Sequence, residues 1–464
     1  MFTKLKKYIG DRAFYRSLLA VAVPIIIQNS ITNFISLLDN IMVGQIGTEQ
    51  MSGVSIVNQL LFVFNLCIFG ALSGAGLFGA QFFGNKEYEN LRHTFRYKVI
   101  ISLVICAGAI GLFLVAGDPL ISLYLHEGGE TGDLALTLHY AKKYLALSLF
   151  GLFPFTVTQI YASSLREVKH TLPPMVAGIV GVCVNLFLNY VLIFGKLGIP
   201  AMGVQGAALA TVISRFVECI YVVAWTHLHT KECPFIVGAY RSFRIPRKLA
   251  RSITITGTPL LLNETLWAAG QAMLLQCYSL RGIATVSAMN ISSIAFNTFS
   301  VLYFSMGTTI SILVGHRLGE GDLEKAASDA KKMIAFSTLL GVVSGILIAI
   351  CAFFFPNLYN TTEEVRTLAA SFIITVAVSA PIQAILNASY FTLRSGGKTL
   401  LTFLFDSGYV WLFTIPLSYC VICFTNLPVE WAYFLCYNSD IIRCIIGIVL
   451  VKRGTWLNDL TKAH

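Results

Sequence analysis

The chain has 464 residues, 56% of them apolar and only 12% charged, with a mean hydropathy of +0.73. Soluble domains carry about twice that share of charge, so a water-soluble globular fold is excluded. The formal net charge of +10 would suggest nucleic acid in a soluble protein. Here the basic residues lack both aromatic interleaving and a folded module to present them, so no nucleic-acid partner is expected.

Crossing the hydrocarbon core takes about 20 apolar residues per helix. Runs of that length predict helices over 17–43, 52–80, 95–120, 137–163, 171–195 and 200–228, then over 251–279, 283–314, 331–356, 367–393, 399–424 and 429–452. The runs are too long for barrel strands and show no strand-type alternation. A polar stretch precedes a full-length first span, which argues against a cleavable signal peptide. With the N-terminus, every second loop and the C-terminus on one side, that side collects 26 of the 33 Lys and Arg residues. Lys142, Lys143, Lys196, Arg281 and Arg366 lie opposite, and Arg215 and Arg443 fall within helices. Basic enrichment marks the cytoplasmic side, so both termini are expected inside. The expected organisation is an N-terminal lobe at 1–228, a basic cytoplasmic linker at 229–250 and a C-terminal lobe at 251–464.

Most of the eleven cysteines, among them Cys67, Cys106, Cys183 and Cys351, sit in apolar runs and read as small hydrophobes. Cys420 and Cys423 form a C-x-x-C in an apolar helix without a second pair. Packing is the better reading there than metal or redox chemistry.

The halves repeat. A shift of 235 residues pairs Pro24 with Pro259, Asn29 with Glu264, Gly47 with Gly282 and Gly84 with Gly319. A shift of 228 pairs Leu165-Arg166 with Leu393-Arg394, Thr171 with Thr399 and Arg215 with Arg443. Six helices per repeat is an even number, so both halves enter the membrane in the same direction. The expected fold is an all-α membrane protein of twelve transmembrane helices, in two pseudo-symmetric six-helix lobes around a central cavity.

Ionisable side chains at membrane depth are costly and point to function. Arg215 with Glu218, and Asp440 with Arg443, are spaced i, i+3 and read as structural ion pairs. Asp39 has no basic neighbour in its own helix. Asn185 and Asn189 share a helix face, and Thr211 lies at a matching depth in the next helix. These four residues are expected to converge into an oxygen-rich site for a proton or a small hard cation. Glu264 and Asp406 are the candidates for contacting a cationic substrate or a second ion.

Several segments together resemble the MATE family of multidrug and toxic compound extrusion transporters. They are PIIIQNSITNFISLLDNIMVGQIGTEQMSGVSIVNQL at 24–60, NLFLNYVLIFG at 185–195, GVQGAALATVIS at 203–214, PLLLNETLWAAGQ at 259–271, LFDSGYVWLFTIPLSY at 404–419 and RGTWLNDLT at 453–461. The resemblance implies cation-coupled export of drugs or metabolites by alternating access. It places the coupling ion on Asp39, Asn185, Asn189 and Thr211, and a further acid at Glu264. Asn189 stands where some relatives carry Asp, and the 367–393 span holds no Asp or Glu, so H⁺ and Na⁺ both stay open. The expected setting is the plasma membrane, as a multi-pass monomer without an organic cofactor. A flippase for lipid-linked oligosaccharide or peptidoglycan precursors would need more intramembrane Arg or Lys. An intramembrane enzyme would need a catalytic motif, and no H-E-x-x-H or G-x-S-x-G is found in the helices.

Overall fold

A computed structural model describes residues 8–124, 133–359 and 361–463, without the side chains of 35–38, 40, 41, 48 and 463. Among the described residues there is no strand, and twelve long helical segments succeed one another. In the N-terminal half they are α1 Arg12–Gly44, α2 Thr48–Gly84, α3 Tyr88–Ser122, α4 Leu134–Glu167, α5 Leu172–Phe194 and α6 Val204–Leu228. In the C-terminal half they are α7 Arg247–Ser279, α8 Ile283–Gly319, α9 Leu323–Ala352 and α10 Glu363–Ser395, then α11 Thr399–Phe424 and α12 Val429–Arg453.

Each expected span is found, and several run past their expected ends. At 37 residues apiece, α2 and α8 are about 55 Å long, well beyond the ~30 Å hydrocarbon core. Their polar end turns read as loop in a hydropathy profile yet continue the helix. Eleven of the segments are long and apolar enough to span a membrane. The remaining one is α7, whose Thr258, Asn263, Glu264, Thr265 and Gln271 dilute its apolar character. The chain is an all-α, multi-pass membrane protein.

Two of these helices depart from regular α geometry. Leu404–Gly408 and Val410–Thr414 of α11 are π-helical, a geometry that recurs at functional sites. In α12 the helix is interrupted at Ser439, between Asn438 and Asp440.

The chain divides into two compact units. The C-terminal unit gathers Arg251–His464 with Met1–Ile26 and Ala80–Glu87, and the N-terminal unit comprises Ile27–Gly79 and Tyr88–Ala250. Within the C-terminal unit, the repeat-related ends of α2 and α8 cross at close range. A Cβ on Gly84 would meet the His316 carbonyl oxygen at 2.3 Å, and one on Gly319 would meet the Gln81 carbonyl oxygen at 2.0 Å. Small residues permit such backbone contact between membrane helices. The wholly buried Gln81 then donates from Nε2 to the Ser395 carbonyl at 2.9 Å and accepts from Leu460 N at 2.7 Å. This ties the tail after α12 to the ends of α2 and α10. In the N-terminal unit the linker is docked. Arg96 Nε and Nη2 donate to the carbonyls of Ala239 and Gly238 at 2.8 and 2.9 Å, and burial pushes the Cys233 thiol up to about 12.

Candidate functional site

The N-terminal unit brings together the four residues that the sequence expects to meet. Pro173 and Pro174 begin α5, where a missing N–H costs no intrahelical bond. On α6, Gly206 lies so near α5 that a Cβ would meet the Leu192 carbonyl carbon at 2.7 Å. The buried Ala207, Ala208 and Ala210 keep the helices close through the next turn. Thr211 is thereby set against α5, and Asn185 Nδ2 donates to Thr211 Oγ1 at 3.4 Å. One turn further along α5, Asn189 Nδ2 donates to Asn185 Oδ1 at 3.0 Å and to Asp39 Oδ1 on α1 at 2.6 Å. Asn185 and Asn189 are buried, while Asp39 keeps intermediate exposure.

Among the described residues no basic side chain lies within ion-pair distance of Asp39. Arg215 is near enough to act on it electrostatically, but its own partners are Glu218 at 3.4 Å and the Phe155 ring at 4.7 Å. Gly181 on α5 leaves the space that Glu218 fills, since a Cβ there would lie 2.4 Å from the Glu218 side chain. The buried Asn189 Oδ1 has no hydrogen-bond partner. A single carboxylate therefore sits beside an open amide acceptor, with a second amide and a hydroxyl behind them. Among the described residues no group of three or more His, Cys, Asp or Glu could hold a metal ion.

The C-terminal unit is built differently. Asn263 on α7 donates from Nδ2 to Asp406 Oδ2 at 3.0 Å and to the Tyr390 hydroxyl at 3.2 Å. Its Oδ1 accepts from Ser407 Oγ at 2.7 Å. Arg443 Nη1 donates to Asp406 Oδ1 at 2.8 Å and Nη2 to Asp440 Oδ2 at 3.2 Å. Gln383 Nε2 also donates to Asp440, at 2.7 Å. Arg394 Nη1 lies 3.7 Å from Glu264 Oε1 and donates to the Tyr390 hydroxyl at 3.4 Å.

Arg215–Glu218 and Asp440–Arg443 are thus both in pairing distance. Arg443 does more than its i, i+3 spacing suggests, because it also holds Asp406 across to α11. Asp406 is accordingly not an open carboxylate.

Sequence reading passes over four charged side chains of the long helices. Lys98 and Glu167 are buried and form an ion pair, with Lys98 Nζ also donating to Ser163 and Ser164 at 3.1 and 3.2 Å. Gly79 and Gly76 make room for the Glu167 carboxylate. Arg166 Nη2 donates to Gln28 Oε1 on α1 at 3.1 Å. This mirrors Arg394 reaching α7, where the shift of 235 pairs Gln28 with Asn263 beside Glu264. The repeat match of Arg166 with Arg394 was the available signal: two arginines at equivalent places in matched helices.

Known proteins agree with this architecture. The family model MatE matches residues 24–191 and 259–420. The probable multidrug resistance protein NorM of Halalkalibacterium halodurans is 26% identical over 449 residues, covering 93% of this chain and 92% of that protein. The multidrug resistance protein MdtK of Pectobacterium atrosepticum is 25% identical, covering 87% of each. The fold of a MOP superfamily transporter from Pyrococcus furiosus superposes with a TM-score of 0.86 at 19% identity, over 98% of both chains. The chain belongs to the MatE family, the membrane transporters that its sequence resembles, and is a transporter rather than an enzyme.

Proposed function

We propose that this chain is a cation-coupled antiporter that exports amphipathic, cationic compounds from the cytoplasm across the cell membrane by alternating access. The repeats 1–228 and 251–464 are the moving lobes, joined by 229–250, with both termini in the cytoplasm. The names of NorM and MdtK relatives, multidrug resistance proteins, support export of drug-like compounds.

The observation that carries the coupling is the environment of Asp39. It is a carboxylate in a membrane helix, hydrogen-bonded by the neutral Asn189 at 2.6 Å, with no basic side chain in ion-pair distance among the described residues. Such a group is not neutralised by its surroundings and gains by taking up a positive charge. For an ion to drive the cycle it must bind one conformation better than the other. A proton suits this site because one bound proton neutralises a lone carboxylate without needing further ligands. Na⁺ is the second reading, supported by the orphaned Asn189 Oδ1, because a small hard cation needs several oxygens. In the C-terminal unit Glu264 and Asp406 supply the carboxylates for the substrate's charge. A lipid pyrophosphate substrate would instead need free cationic groups, and Arg215 and Arg443 are engaged by Glu218, Asp406 and Asp440.

Efflux of a fluorescent cation from proteoliposomes, under a pH gradient or a sodium gradient imposed separately, tests the proposal. An inwardly directed gradient of one ion should drive accumulation of dye on the opposite side. Dye movement indifferent to both gradients would refute ion coupling.

A further inference from the structure

Asp406 is the acid of the C-terminal unit offered to a cationic substrate, yet a cation already sits on it. The guanidinium of Arg443 bridges Asp406 Oδ1 at 2.8 Å and Asp440 Oδ2 at 3.2 Å. These two carboxylates do not depend on Arg443 equally. Asp440 lies three residues before Arg443 on the same helix and also accepts from Gln383 at 2.7 Å. It therefore keeps both partners if the guanidinium swings about its own stem. Asp406 sits on another helix, inside the π-helical turn Leu404–Gly408, and its other oxygen accepts from the neutral amide of Asn263 at 3.0 Å.

Tyr409 comes directly after that turn. Its hydroxyl donates at 3.0 Å to the Ser439 carbonyl, taking up an acceptor at the break in α12. Its ring lies 5.7 Å from the Arg443 guanidinium carbon. A carboxylate beside an aromatic face is what recognises an organic cation in a desolvated site. In this structure Arg443 fills both.

We propose that Asp406 and the Tyr409 ring form an organic-cation site that Arg443 closes as a tethered competitor. An alkylammonium or amidinium group binds by displacing the guanidinium from Asp406, leaving it on Asp440. The proposal rests on the reading of the chain as an exporter of cations. Among the described residues Glu264, Asp406 and Asp440 pair with Arg394 and Arg443, three carboxylates with two guanidiniums. Tyr390, between Asn263 and Arg394, is uncharged and does not alter this balance. The displaced guanidinium stays paired, so entry of the ligand never strands a buried charge, which would be far costlier than losing one hydrogen bond.

Binding of rhodamine 6G and of uncharged Nile red to the purified full-length protein, monitored by fluorescence polarisation, tests this. Arg443→Gln removes the competitor and should tighten rhodamine 6G binding about tenfold, the worth of one charge-assisted hydrogen bond, leaving Nile red unchanged. Asp406→Asn added to Arg443→Gln should abolish that gain. Asp440→Asn keeps the guanidinium but removes its alternative partner, so rhodamine 6G should bind about threefold more weakly. That arm decides the matter if Arg443→Gln does not fold. Unchanged or weaker binding by a folded Arg443→Gln protein, or tighter binding by Asp440→Asn, would overturn the inference. Wild-type protein that binds Nile red but no rhodamine 6G would instead overturn the cationic-substrate reading itself.

Discussion

Asp39 of the N-terminal unit and Asp406 of the C-terminal unit sit in opposite surroundings. Asp39 accepts from the neutral Asn189 amide, which also donates to Asn185, and Asn185 donates to Thr211. Around Asp406 the carboxylates meet guanidiniums on neighbouring turns and helices. A carboxylate with neutral neighbours has one way to lose its charge, which is to bind an ion from outside. A carboxylate held by arginine is already neutralised, and a ligand reaches it only by exchange. By the repeat offsets Asp39 matches Leu274 and Asp406 matches Gly178, so the two acids do not occupy one shared position, whereas Asn29 and Glu264 do share one and differ in charge.

The sharpest way to break the comparison is Asp39→Asn. The amide keeps the shape and cannot take up a proton or balance Na⁺. Ion-driven efflux from proteoliposomes should fall to the level of protein-free vesicles, while rhodamine 6G binding persists. Retained efflux would remove Asp39 from the coupling. Next in size is the charge pair that the N-terminal unit buries away from Asp39. Glu167→Ala leaves Lys98 buried and unpaired, a loss of ~3–5 kcal/mol, visible as a lowered thermal midpoint of the purified protein. Lys98→Met with Glu167→Leu should recover most of that loss, because apolar replacement of a whole buried pair is near neutral. The double variant should also still transport, which would mark this pair as structural and Asp39 as the coupling group. The smallest expected effect is a change of ion preference. Asn189→Asp adds a second carboxylate to the site, and dye efflux driven by a sodium gradient should rise relative to that driven by pH. An unchanged ratio would argue that Asn189 does not line the ion's path.

Much of this was legible in the residues. Apolar runs gave the helices, because a membrane leaves few other ways to satisfy a backbone. Asn185, Asn189 and Thr211 were placed together by helix period and depth, and their polarity stood out in apolar surroundings. Lys98 was not legible as a buried charge: it lies near the start of an apolar run, where hydropathy assigns it to the headgroups, and the extension of α3 back to Tyr88 carries it inside. Glu167 and Arg394 were hidden in the same way, at the ends of α4 and α10. The hold of Arg443 on Asp406 depends on how α11 and α12 pack, and no spacing within one helix encodes it. The π-helical turns of α11 have no sequence signature in LFDSGYVWLFT, which reads as an ordinary span.

Coupled transport requires exchange between an ion at Asp39 and a cation elsewhere in the same molecule. Proton release on adding rhodamine 6G to the purified protein in weakly buffered detergent solution measures that exchange directly. Coupling through Asp39 predicts release by the wild type, reversed when the dye is removed, and none by Asp39→Asn although the dye still binds. Equal proton release by both proteins, with sodium absent throughout, would contradict it.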